Sequence, residues 1–115
     1  MLQAKLKILR DSLVGISNKI TVCHYWRANL KAPFILWQED GEAESLGADG
    51  RKAEQGIYGT VDYYTKTEYD PAFDSIQNVL NNLEDFSFRY ESTEYEDETG
   101  LIHHTWEWRL RYGTP

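Results

Sequence analysis

The chain is poor in the residues that usually announce chemistry. One cysteine, Cys23, stands among 115 residues, so no internal disulfide framework forms, and a reducing compartment fits best. No apolar run approaches the ~18 residues of a membrane span. The start, Met1-Leu-Gln-Ala-Lys-Leu-Lys, sets charges among its leucines and lacks an apolar centre, so no secretory signal is expected. Nucleophile-elbow, phosphate-loop and dinucleotide patterns are missing. The glycines at 41, 47, 50, 56 and 59 do not follow a strand and open a helix, as phosphate cradling requires. Basic charge is also short: 12 Lys/Arg against 19 Asp/Glu leave −7, which argues against sequence-independent nucleic-acid binding. Repeats and low-complexity tracts are absent too.

What remains is a folded domain. At 41% hydrophobic and 14% aromatic, the composition is too apolar for intrinsic disorder, and residues 1–115 have room for a single domain. The charge is divided. Residues 1–38 carry six Lys/Arg against one acid, or +5; residues 39–115 carry six against eighteen, or −12. Such segregation can steer the basic end of one subunit onto the acidic face of another.

Leu2, Leu6, Leu9, Leu13 and Ile16 step by 4, 3, 4 and 3, predicting an amphipathic helix with Lys5, Lys7, Arg10 and Asp11 on its outer side. Ile20–Trp26 and Phe34–Trp37 read as strands, the second buried on both faces. An acidic, glycine-rich loop is expected after Trp37, and a strand with one wetter face resumes near Gln55. Asp70-Pro71 supplies a carboxylate N-cap and a proline at the first helical position, followed by a stripe of Phe73, Ile76, Leu80 and Leu83. Phe86, Phe88 and Tyr90 open a fourth strand. In the last one Ile102, His104, Trp106, Trp108, Leu110 and Tyr112 alternate with His103, Thr105, Glu107, Arg109 and Arg111. Glu94–Gly100 between them makes an acidic hairpin tip. The order α-β-β-β-α-β-β implies an α+β fold: a mostly antiparallel sheet of about five strands with both helices packed on one face.

Candidate sites were sought in this frame. Cys23-His24 and His103-His104 contain zinc-type ligands, but neighbours on a strand point to opposite faces, so each pair offers one ligand to a given site. Asp40-Gly-Glu-Ala-Glu lacks the register and flanking helices of a calcium loop. Paired-carboxylate hydrolysis needs a shaped cleft. No catalytic residue, metal or cofactor is therefore expected. The better reading is a partner surface: Glu39, Asp40, Glu42, Glu44 and Asp49 in the loop, Arg51 and Lys52 at its far end, Tyr58 and Tyr64 on the wetter strand face, and Lys5 and Arg10 on the basic helix. Trp106 and Trp108 share a face with Ile102 and Leu110 and read as core. Glu39 to Arg51 is expected to be mobile in the free monomer and to order on assembly.

The runs Pro33-Phe-Ile-Leu-Trp-Gln-Glu-Asp-Gly-Glu42, Ala48-Asp-Gly-Arg-Lys-Ala-Glu-Gln-Gly-Ile-Tyr-Gly-Thr-Val-Asp-Tyr-Tyr-Thr-Lys-Thr-Glu-Tyr-Asp-Pro71 and Tyr95-Glu-Asp-Glu-Thr-Gly-Leu-Ile-His-His-Thr-Trp-Glu-Trp108 resemble small structural proteins of long-tailed phages and Gram-positive prophages. The tail terminators, or tail completion proteins, are the most similar group. That resemblance implies a homo-oligomer, a hexameric ring, which stops tail-tube polymerisation and presents a surface for head-tail joining. Its partners would be the major tail tube protein and the head-tail connector, with no membrane, no specific nucleic-acid binding, no catalysis and no cofactor. It would stand in the host cytoplasm during assembly and in the virion afterwards. A head-tail stopper or minor capsid component, or a small ligand-binding module, are the alternatives. A stopper would be more barrel-like and poorer in helix; a ligand-binding module would need a concave pocket with convergent polar groups.

Overall fold

The computed structural model describes residues 2–26, 30–43 and 55–113. The elements follow the expected order: α1 (Leu2–Val14), β1 (Thr21–His24), β2 (Phe34–Glu42), β3 (Gln55–Thr65), α2 (Ala72–Asn82), β4 (Phe86–Glu96) and β5 (Leu101–Gly113). The strands form one mixed sheet in the order β1-β2-β3-β5-β4. Only the β1–β2 pair is parallel; β2–β3, β3–β5 and β4–β5 are antiparallel.

Strand pairing aligns the apolar positions. Ile35 faces Tyr63, Trp37 and Trp106 flank Val61, and Ile57 faces Leu110, so these side chains share the sheet face on which the helices lie. Leu6, Leu9 and Leu13 of α1 and Ile76 and Leu80 of α2 complete one core with them, and every one of these helical residues is buried. Trp106 and Trp108 lie at its centre, fully buried. Glycine is required at position 59. A Cβ there would sit 2.0 Å from the Gln38 carbonyl oxygen and 2.4 Å from the Trp108 ring, so only a hydrogen leaves room for the indole.

The start of α2 matches its sequence signal. Pro71 has helical angles (φ −62°, ψ −17°), and the Asp70 carboxylate accepts a hydrogen bond from the Ala72 N–H at 2.9 Å. Asp70 is thus the capping residue and Pro71 the first helical one. The β4–β5 hairpin closes at Gly100, whose φ of +69° lies in the left-handed region.

Two boundaries differ from expectation. Strand β1 stops at His24 instead of Trp26, because Tyr25 takes a positive φ of 75° and turns the chain out of the ladder. Strand β2 does not end at Trp37. It continues through Glu42, pairing Gln38 with Thr60 and Glu39 with Gly59, then shifting register by a bulge before Gly41 meets Tyr58.

Candidate functional site

Strand β2 therefore carries Glu39, Asp40 and Glu42, which were expected in a loop. Backbone pairing with β3 outweighs their low strand propensity, and the bulge absorbs the glycine. Glu39 is half-buried and lies 3.1 Å from His24 Nε2, with His24 stacked between Trp37 (3.8 Å) and Tyr25 (3.7 Å). Gln38 donates to Asp40. Of the segment Glu39 to Arg51, expected to be mobile, Glu39, Gly41 and Glu42 pair with β3 and Asp40 sits in the bulge. Glu44, Asp49, Arg51 and Lys52 lie outside the described residues.

The two tyrosines on the outer sheet face have different fates. Tyr58 is half-buried across Gly41, where a Cβ would stand 3.4 Å from its ring. Tyr64 was expected at a wet edge but is buried, stacked on Phe34 (4.6 Å) and His103 (4.0 Å) in a small second cluster with Leu101. Ring stacking with Phe34 and His103 removes it from solvent, unlike the wet edge expected for it. Lys5 bonds Asp85 and reaches the Arg111 carbonyl at 3.3 Å, tying α1 to the far end of the sheet. Arg10 is exposed and folds onto its neighbour Asp11 at 2.9 Å.

His103 and His104 point to opposite faces. On the outer face His103 Nε2 lies 2.7 Å from Asp62, which also accepts from Thr105 at 2.8 Å. On the helix face His104 Nδ1 lies 2.8 Å from the Thr93 hydroxyl. Among the described residues no three of His, Cys, Asp and Glu converge as metal ligands.

A feature that the sequence reading missed lies at the N-terminal end of α2. Thirteen residues of β5 extend about 43 Å, whereas the eleven of α2 rise only about 16 Å, so the helices leave one end of the sheet's inner face uncovered. There Tyr69, Phe73, Ile102 and His104 line a groove of about 580 Å³, with Glu68 and Asp74 also at its wall. Its base is rigid. Asp70 accepts from Tyr63 and Thr65, each at 2.7 Å, in addition to capping α2. Burial pushes the Asp70 carboxyl up, but the hydrogen bonds from Thr65, Ala72 and Tyr63 outweigh it and hold the group below its ordinary value. The Tyr63 hydroxyl is raised, first by burial and then by its bond to Asp70. His104 is lowered, chiefly by burial. The available signal was the polar run Lys66-Thr-Glu-Tyr-Asp70, with one tyrosine set between a strand and a capped helix.

No family model and no curated protein matches the chain. Its fold, however, is found among solved structures. A chain from the virion of a native gene transfer agent particle superposes with a TM-score of 0.58 over 88% of this chain and 84% of that one, at 9% identity. The likeness is one of fold. No described helix is long and apolar enough to cross a membrane.

Proposed function

We propose that this chain is a structural protein of a phage-like virion, and within it the tail terminator: a ring of identical subunits, six in number, that caps the tail tube and forms the head-tail joining surface. The observation that carries the reading is the fold shared, over 88% of this chain, with a chain of a virion particle. It is supported by charge divided along the chain, +5 over residues 1–38 and −12 over residues 39–115, which suits the head-to-tail contacts of a ring. Two helices on an open sheet favour the terminator over a barrel-like stopper. The reading involves no catalytic step and no cofactor. Its partners are further copies of the chain, the tail tube protein and the connector, met in the host cytoplasm and retained in the virion. Exposed Arg10, Asp40 and Glu42, together with Glu44, Asp49, Arg51 and Lys52, are the charged contact residues it favours.

Electron microscopy of particles from a strain lacking the coding sequence tests this. Overlong tubes beside tailless heads are the expected result. Tails of normal length with leaking heads would favour a stopper instead, and intact particles would refute both. In vitro, association should weaken as salt rises from about 50 mM to 500 mM, since a Debye length near 10 Å at 0.1 M screens exposed charges. Salt-independent association would point to an apolar interface.

A further inference from the structure

The exposed large apolar side chains of the described residues fall into two groups. Ile8, Val14, Tyr25 and Trp26 belong to α1 and the end of β1; Tyr69, Tyr90 and Tyr95 belong to the groove end and β4. Helix α1 packs against β1, and α2 against β4, while β1 and β4 are the two edges of the sheet. Helix α1 also packs on α2, but Trp26, just past β1, and the groove, walled by Thr93 of β4 and by Ile102 and His104 of β5, lie toward opposite edges of the sheet. The charges of the two groups are opposite as well. Lys7 and Arg10 accompany the first, partly offset by Asp11; Glu68, Asp74 and Glu94 accompany the second, partly offset by Lys66 and Arg89.

Both groups contain a tyrosine held at positive φ, Tyr25 at 75° and Tyr69 at 56°. A bulky residue in the left-handed region costs about 1–2 kcal/mol. Tyr69 is 94% exposed, so no packing in the monomer offsets that cost. Beyond Tyr25 the chain presents Trp26, 69% exposed, whereas Trp37, Trp106 and Trp108 are all in the core. An exposed tryptophan and an apolar, acid-rimmed groove are the complementary halves of an interface anchored by one aromatic residue.

We infer that the groove of Tyr69, Phe73, Ile102 and His104 receives the α1–β1 edge of a second copy of this chain, with Trp26 as the anchoring side chain. The inference deepens the ring reading and rests on it. Because the two halves lie on opposite edges, the contact is heterologous: each subunit gives its tryptophan to one neighbour and takes one from another, as a closed ring requires. The groove volume of about 580 Å³ accommodates an indole together with its flanking residues. Lys7 and Arg10 of the incoming α1 would face Glu68 and Asp74.

Sedimentation velocity on the full chain tests this with Trp26→Ser, with Glu68→Lys/Tyr69→Ser, and with an equimolar mixture of the two variants. All three changed residues are exposed, and circular dichroism checks that each variant folds. Each variant alone lacks half of the contact and should associate at least ten-fold more weakly than the wild type. The mixture keeps one intact half of each kind, so it should form 1:1 pairs and grow no further. Variants that assemble as well as an assembling wild type would overturn this contact and leave the ring reading standing. Variants that dissociate but fail to pair when mixed would overturn the head-to-tail assignment. A wild type that stays monomeric would overturn both.

Discussion

Replacing Asp70 by alanine should cost more than any other single change to a polar side chain among the described residues. Three donors end on this carboxylate: the Ala72 N–H at the start of α2, and the hydroxyls of Tyr63 and Thr65. Tyr63 and Thr65 are each 1% exposed, whereas Asp70 is half-buried at the surface, so water entering the gap replaces the lost acceptor only in part. Loss of the cap costs about 1 kcal/mol. Each hydroxyl left unpaired adds about 1–3 kcal/mol. The sum is about 3 kcal/mol or more, a large share of the ~5–15 kcal/mol that holds a domain folded. Urea unfolding followed by tryptophan fluorescence should show the midpoint falling with the slope unchanged. Tyr63→Phe in the Asp70→Ala background should cost less than in the wild type, because the orphaned donor is gone.

The pH dependence has a definite sign. The folded carboxyl titrates below its ordinary value, so it binds fewer protons than the unfolded chain as acid is added. Its contribution is complete above the unfolded value of about 4 and fades as the pH falls through the lower folded value. The stability difference between the wild type and Asp70→Asn should therefore be flat from pH 7 to 5 and shrink below about pH 4. A loss under about 0.5 kcal/mol for Asp70→Ala, or a wild-type–Asn difference that does not shrink in acid, would refute the account of Asp70 as the junction of β3 and α2.

Three further outcomes follow from the geometry. Gly59→Ala should destabilise by about 3 kcal/mol by overpacking, since the new methyl meets both the Gln38 carbonyl and the Trp108 ring; a change within about 0.5 kcal/mol in urea melts would contradict this. His104 should titrate below the ordinary histidine value of about 6.5 in imidazole proton NMR, and lower still in Asp70→Asn, because the carboxylate's charge partly offsets burial; a value above about 6.5 would contradict it. Tyr69→Gly should raise monomer stability by about 0.5 kcal/mol by relieving the left-handed backbone, while weakening self-association; thermal melts and sedimentation should move in opposite senses.

Much of the fold was legible because its signals are local. The leucine steps of α1, the Asp70-Pro71 start of α2 and the alternation in β5 each follow from the period of one element, and the buried residues match them: Leu6, Leu9, Leu13, Trp106, Trp108 and Leu110. The end of β2 was not legible. Gln38-Glu-Asp-Gly-Glu42 has the composition of a loop and becomes strand only because β3 offers it a ladder of hydrogen bonds, which no local pattern reveals. Tyr64 was misjudged for a similar reason. Its strand face reads as polar from Thr60 and Asp62, and its burial is set by Phe34 and Leu101, distant in sequence.

The groove illustrates how a site can be invisible to motif reading yet follow from elementary geometry. A residue rises twice as far in a strand as in a helix, so an eleven-residue helix cannot cover a thirteen-residue strand, and the uncovered end must be filled by loop, solvent or partner. Here that end is apolar and aromatic at Phe73, Ile102 and His104, acidic at Glu68 and Asp74, and braced from beneath by Asp70. Solvent is a poor match for such a surface. The connection from Lys66 to Asp70 is too short to cover it, and it lifts Tyr69 into water. In the contact inferred above, the filler is another chain. Charge segregation, which in the sequence only suggested that copies attract, thereby acquires a place to act: a basic, tryptophan-bearing edge and an acidic groove toward opposite edges of one sheet.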